Sequence, residues 1–208
     1  MGSLLMHIGV SEIVRKRLNL STKFIYGSIL PDLIKNETGD RTGTHFIKTV
    51  VTDKGIQRLP EIDRAISMLN GKMDKEVRLG YISHLIEDYV WFEKYIPSFA
   101  IYIENKRLVY LKDNSIHSGD EFSKDMYEDY IKINKHIKKQ WIDNYDFFKS
   151  DMKKILTPKE VAFLESNEEE NTQEPNDTFN ILTKESIDEY IEETVEKVEK
   201  TIKELMGE

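Results

Sequence analysis

Between Asp74 and about Tyr95 the sequence offers a helix without a polar face. Val77, Leu79, Tyr81, Ile82, Leu85, Ile86, Tyr89, Val90, Trp91 and Phe92 nearly encircle it. A surface helix confines its apolar residues to one stripe, so a helix that is apolar all round has to be buried. This one is expected at the centre of the fold, with Asp74 as its N-cap. A charged side chain inside it needs a partner or a cation, because an isolated buried charge is costly. His84 and Asp88 lie inside it four residues apart and therefore project from one face; Glu87 is the acidic neighbour of Asp88. Taken alone, His-x-x-x-Asp is more often a hydrogen-bonded pair than a metal site.

The rest of the chain reads as helices around that centre. Leu4, Leu5, Ile8, Ile13, Val14 and Leu18 recur at roughly helical spacing over 3–18. Ser21 caps a second apolar segment, Phe24 to Leu30, which is expected to stop at Pro31. Residues 35–44 read as a loop, and Pro60 as the opening of a helix that ends near Asn70-Gly71. Over 99–111, alternating Phe99, Ile101 and Ile103 followed by Leu108 to Leu111 predict a small β-hairpin. Ser118-x-x-Glu121 is a capping box that starts a helix through about Ile137. A further segment covers 140–155, and Thr157-Pro158-Lys159-Glu160 starts a short helix. The acidic, Asn-rich stretch over 165–180 reads as a solvated loop. Over 183–206, Ile187, Ile191, Val195, Val198, Ile202 and Leu205 form one stripe. That stripe is expected to pack on the bundle, with a homodimer seam as the alternative. The expected fold class is therefore all-α: one domain over 1–208, a multi-helix bundle with one small hairpin.

Composition limits what such a bundle can do. The 208 residues carry 30 basic and 38 acidic side chains, a net charge of −8, which disfavours general nucleic-acid or anionic-membrane binding. No cysteine is present, so thiolate metal sites and cysteine nucleophiles are excluded. No run reaches the ~20 apolar residues of a membrane span. The basic cluster Arg15-Lys16-Arg17 follows the first apolar stretch instead of preceding it, unlike a signal peptide, and the expected location is cytoplasmic. A glycine-rich phosphate loop and a Gly-x-Ser-x-Gly elbow are both missing.

Three more polar residues sit at elements that look buried. His7 lies in the first apolar segment, Asp32 follows Pro31, and His45 precedes Phe46-Ile47. With His84 and Asp88 they make three imidazoles and two carboxylates, a donor set suited to Zn²⁺. In order, His7, Gly27-Ser28-Ile29-Leu30-Pro31-Asp32, Thr44-His45-Phe46 and Gly80-Tyr81-Ile82-Ser83-His84-Leu85-Ile86-Glu87-Asp88 resemble the motifs of the zinc-dependent phospholipase C family. That family shares its helical fold with fungal single-strand nucleases. The resemblance covers roughly residues 1–95, the metal-site half of the chain. It implies that Asp32, His45, His84 and Asp88 hold one metal and that Asp88 bridges to a second, which His7 also binds. It further implies a phosphoester hydrolase in which Asp32 doubles as the catalytic group that orients the attacking water.

This sequence departs from the family in two places. Secreted members begin at a Trp whose amine and carbonyl bind metal; here no Trp stands near the start, so Met1 or Gly2 would have to serve, or the second metal binds more weakly. Members with a third metal carry a later His and a His-x-x-x-Glu; here His117 and His136 follow, but Gln140 stands in place of the Glu. Asp129 is a further buried-looking carboxylate without an assignment. The expectation is thus a hydrolase using one or two zinc ions on a small soluble phosphoester. The alternative is a non-catalytic helical module in which a structural metal or a His/Asp network occupies the same residues. An HD-type phosphohydrolase needs an adjacent His-Asp pair, which this sequence lacks.

Overall fold

The computed structural model describes residues 2–103, 107–142, 145–169 and 179–207. The first half contains α1 (Leu4–Arg17), α2 (Thr22–Thr38), α3 (Arg41–Thr44), β1 (Ile47–Thr52), β2 (Gly55–Pro60), α4 (Ile62–Leu69) and α5 (Lys75–Val90). A π-helical turn, Trp91–Tyr95, carries α5 without a break into α6 (Ile96–Phe99). Then come β3 (Ala100–Ile103), β4 (Arg107–Tyr110), β5 (Ile116–Ser118), α7 (Gly119–Gln140), α8 (Tyr145–Met152), α9 (Pro158–Glu169) and α10 (Lys184–Met206). Among the described residues no helix is long and apolar enough to cross a membrane.

The centre is α5, as its sequence predicts. Asp74 caps it, accepting from the Glu76 and Val77 amides at 2.9 and 3.4 Å, and its residues are buried nearly all round. Its main partner is α2. The two helices cross with their backbones in contact at Gly27 and Gly80. A Cβ on Gly27 would run into the Val77 carbonyl oxygen, and one on Gly80 into the Phe24 carbonyl oxygen. Both sites need the missing side chain, not a special φ. Helices α1 and α10 pack on this pair. Ser3 ties the start of α1 to α7 by donating to Asn134 Oδ1 at 2.6 Å. The α10 stripe points inward: Ile187, Ile191, Val195, Val198 and Ile202 are buried in the chain's own core.

Several boundaries differ from the sequence reading. Pro31 does not end α2 but sits inside it. It removes one backbone donor, and packing along α5 holds the helix through to Gly39, the left-handed C-cap at φ 71°. The stretch 35–44 is accordingly helical on both sides of Gly39-Asp40. Pro60 ends β2, paired with Ile47, instead of opening a helix. The chain is not all-α: β1–β2 form one antiparallel hairpin and β3–β4–β5 a second small antiparallel sheet. The first hairpin has a readable origin in β-branched Thr49-Val50-Val51-Thr52 and the turn residue Gly55 at φ 89°. The hairpin expected over 99–111 is present as β3–β4, and the Ser118–Glu121 capping box is formed. Helix α9 takes up 165–169 of the expected acidic loop, and 170–178 lie outside the described residues.

The backbone contact makes a direct prediction. Gly80→Ala should destabilise the protein by about 3 kcal/mol, the upper end for overpacking, because the obstacle is a carbonyl and not a flexible side chain. The midpoint of urea unfolding, compared with wild type, checks this.

Candidate metal centre

Four elements deliver the five predicted residues to one place. His7 comes from the second turn of α1, Asp32 from α2 just past Pro31, His45 from the C-cap of α3, and His84 and Asp88 from consecutive turns of α5. The α3 turn is pinned to α5 by Tyr81, whose hydroxyl donates to the Thr44 carbonyl. After His45 the chain reverses at Phe46, a non-glycine residue at φ 51°, and Phe46 packs edge-on against Tyr81. His7, His45, His84 and Asp88 are fully buried, and Asp32 keeps 4% exposure.

Each imidazole is clamped from outside through Nδ1. His84 Nδ1–H donates to the Ser28 carbonyl at 2.7 Å. His7 Nδ1–H faces Glu87 Oε2 at 2.8 Å, and Glu87 also accepts from Ser83 Oγ at 2.7 Å. The Thr44 hydroxyl donates to the Asp40 carbonyl, so it accepts from His45 Nδ1–H, at 2.8 Å. With Nδ1 protonated, the neutral form of each ring carries its lone pair on Nε2. These lone pairs point inward and find no hydrogen. His7 Nε2, His45 Nε2, His84 Nε2, Asp32 Oδ1 and Asp88 Oδ1 are all buried without a hydrogen-bond partner.

Their spacing suits a cation. His45 Nε2 lies 3.4 Å from Asp32 Oδ1 and 3.9 Å from Asp88 Oδ2, and His7 Nε2 lies 3.9 Å from Asp88 Oδ1. Ligands at ~2.0–2.1 Å from a tetrahedral ion stand about 3.3–3.4 Å apart. His7, Asp32 and His84 form one group within coordinating reach, and His45, His84 and Asp88 a second. His84 belongs to both, and its ring stacks on His7 at 3.9 Å. At about 1–3 kcal/mol for each unsatisfied buried group, five such atoms rival the ~5–15 kcal/mol that stabilises a whole domain. A cation would satisfy them together, and the residues present fit one.

The electrostatics favour the ligand forms of Asp32, Asp88 and His84. Burial pushes the Asp32 carboxyl up, but the His45 contact and the nearby His84 and His7 outweigh it and hold Asp32 below the usual carboxylate range. Burial likewise opposes ionisation of Asp88, and the positive charge around it, Arg41 at 3.4 Å included, outweighs burial and keeps it ionised. Burial and the neighbouring His7 drive His84 well below an ordinary histidine, toward the neutral ring a metal needs. Burial disfavours charge on both members of the His7–Glu87 pair; their attraction raises His7, and burial raises Glu87. The proton between them stays on the far side of the ring from the centre.

The other candidates stand elsewhere. His117 bonds to Ser115 Oγ at 2.7 Å and stacks on Tyr110. His136 pairs with Asp188 at 2.8 Å, and Trp141 Nε1 donates to the same carboxylate oxygen. Asp129 accepts the backbone amides of Asn180, Ile181 and Leu182 at 2.7–2.9 Å, which fastens the approach to α10. Three residues at the centre had no role in the sequence reading. Glu87 was visible as an acidic residue on the buried helix, three residues after His84. Arg41, 3.4 Å from Asp88 Oδ2, and Lys35, 3.8 Å from Asp32 Oδ1, fell in a stretch read as loop. No family model, no curated protein and no solved structure matches this chain.

Two substitutions separate centre from scaffold. If the centre holds zinc through His7, Glu87→Gln should weaken that binding by about 10–100-fold, the usual penalty for losing a carboxylate behind a ligating histidine. Asp129→Ala should leave zinc binding unchanged while lowering stability by about 1–3 kcal/mol, through three unpaired amides. Competitive zinc titration and urea unfolding of each variant check both.

Proposed function

We propose that this chain is a metal-dependent phosphoester hydrolase, similar in its reaction to the zinc-dependent phospholipase C family that its motifs resemble. One or two divalent ions, zinc by the character of the donors, are held by His7, Asp32, His45, His84 and Asp88. The observation that carries the reading is the set of five buried, inward-facing donor atoms without partners, with each imidazole fixed from behind. Bound there, a divalent ion supplies Lewis-acid activation of water and of a phosphoryl oxygen. The chain's own part is placement. Asp32, the one ligand that keeps any exposure, orients the attacking water. The water oxygen forms the new bond to phosphorus, the ester P–O bond breaks, and the proton lost by the water ends on the leaving oxygen. A small water-soluble ester in the cytoplasm remains part of this reading.

Complete burial of four of the five residues favours a second reading, a structural metal in a closed site. His7 tells the two apart. Asp32, His45, His84 and Asp88 alone can close one four-coordinate site, so a structural ion survives His7→Ala, while a two-ion hydrolase loses turnover.

Elemental analysis of wild type and His84→Ala, purified without an affinity-column metal, tests the metal first. The expectation is at least one equivalent of zinc in wild type and near-complete loss in the variant, because His84 belongs to both groups. Protein that stays metal-free after incubation with zinc overturns the reading.

A further inference from the structure

A cavity of about 290 Å³ opens beside the centre, and its walls are of two kinds. Toward the centre they are cationic, formed by Lys35 and Arg41. Away from it they are aromatic, formed by Phe92, Tyr102, Phe122 and Tyr127. Both cations touch the candidate ligands: Lys35 Nζ reaches Asp32 and Arg41 Nη2 reaches Asp88. The Arg41 guanidinium lies 5.1 Å above the Phe92 ring, which fixes its plane, and its buried Nε has no partner. Among the described residues its one ion pair is long, at 3.4 Å, which leaves N–H donors for a planar, two-pronged contact with an anion. Tyr102 and Phe122 meet edge to face at 6.1 Å and shape the far wall.

We infer that this cavity receives the organic group of a compact phosphate monoester, an aromatic or similarly flat apolar group, while Arg41 and Lys35 hold the phosphoryl oxygens at the metal centre. The inference rests on the hydrolase reading. Charge argues for the anion's position: the surface as a whole is net negative, and here two cations stand side by side over the candidate ligands. Size argues for the organic group. Small-molecule sites run from about 300 to 1,000 Å³, so this cavity is at the small end and suits one or two rings, not the acyl chains of a lipid.

Calorimetric titration of the zinc-loaded full chain tests this, with inorganic phosphate and with phenylphosphonate, which has no ester P–O bond to hydrolyse. Wild type should bind phenylphosphonate about tenfold or more tightly than phosphate, from the buried ring. Arg41→Ala should weaken both by about 10–100-fold with zinc content unchanged, the loss of a charge-assisted bond. Ser123→Trp places a large ring into the cavity from an exposed position of α7. It should erase the preference for phenylphosphonate and leave phosphate binding as in wild type. Wild type without such a preference, a Ser123→Trp variant that keeps it, or an Arg41→Ala variant that retains zinc and binds both anions normally overturns the inference alone. If Arg41→Ala loses zinc, the Ser123→Trp result decides. A wild-type protein that takes up no zinc overturns the hydrolase reading, and the inference falls with it.

Discussion

The backbone contact between α2 and α5 is the constraint on which the centre depends. Gly27 and Gly80 let the two helices approach until carbonyl oxygens occupy the space of the missing side chains. At that separation His84, four residues after Gly80, reaches the Ser28 carbonyl directly. Asp32, one turn beyond Ser28, and Asp88, one turn beyond His84, then both approach His45 Nε2, at 3.4 and 3.9 Å. A wider crossing would break the Ser28 contact, free the His84 tautomer and separate the carboxylates. Glycine is therefore required here for proximity, and the proximity is what turns two ordinary helical registers into one constellation. Helix α1 and the α3 turn add one imidazole each to a frame the crossing has already set.

The centre keeps its charges buried because the surrounding groups are arranged to hold them. Asp32 and Asp88 stay ionised beside imidazoles and cations, and the three ring protons are drawn outward by a backbone carbonyl, a carboxylate and a hydroxyl. These three acceptors come from α2, α5 and α3, so three of the four elements that build the centre contribute to its tautomers. A plain hydrogen-bonded His/Asp network would pair Nε2 atoms with carboxylate oxygens at hydrogen-bond distance. The approaches here are 3.4–3.9 Å, longer than ordinary N–H···O bonds and compatible with atoms that share a cation.

What the sequence made legible was what a single helix can encode. The buried character of α5, its Asp74 cap and the shared face of His84 and Asp88 all follow from periodicity within one segment. The Ser118 capping box and the β3–β4 alternation are equally local. What stayed hidden depends on neighbours. Pro31 looks like a stop from its own chemistry, and only the packing of α2 along α5 carries the helix through it. Arg41 lies in a polar stretch that reads as loop, and nothing local shows that a short helical turn brings it 3.4 Å from Asp88. Asp129 looked like chemistry because it is acidic among aromatics; its role as acceptor for three amides some fifty residues away is a tertiary fact. The β1–β2 hairpin is the exception, since its β-branched run and Gly55 were there to be read.

The burial of the centre also decides where selectivity has to reside. Four of the five donor residues have no solvent exposure and Asp32 has 4%, so on the proposed reading ions held there would present little surface to a substrate. An anion entering by the cavity would meet Arg41 and Lys35, which line it, before any ligand. Both cations are already engaged with the carboxylates behind them, at the long distances of 3.4 and 3.8 Å. Divalent ions at the centre would compete for those same carboxylates and release the cations toward the cavity. On the proposed reading, metal loading therefore does two things: it completes the hydrolytic centre, and it turns the cationic side chains at its mouth from internal counter-charges into a receptor for phosphate.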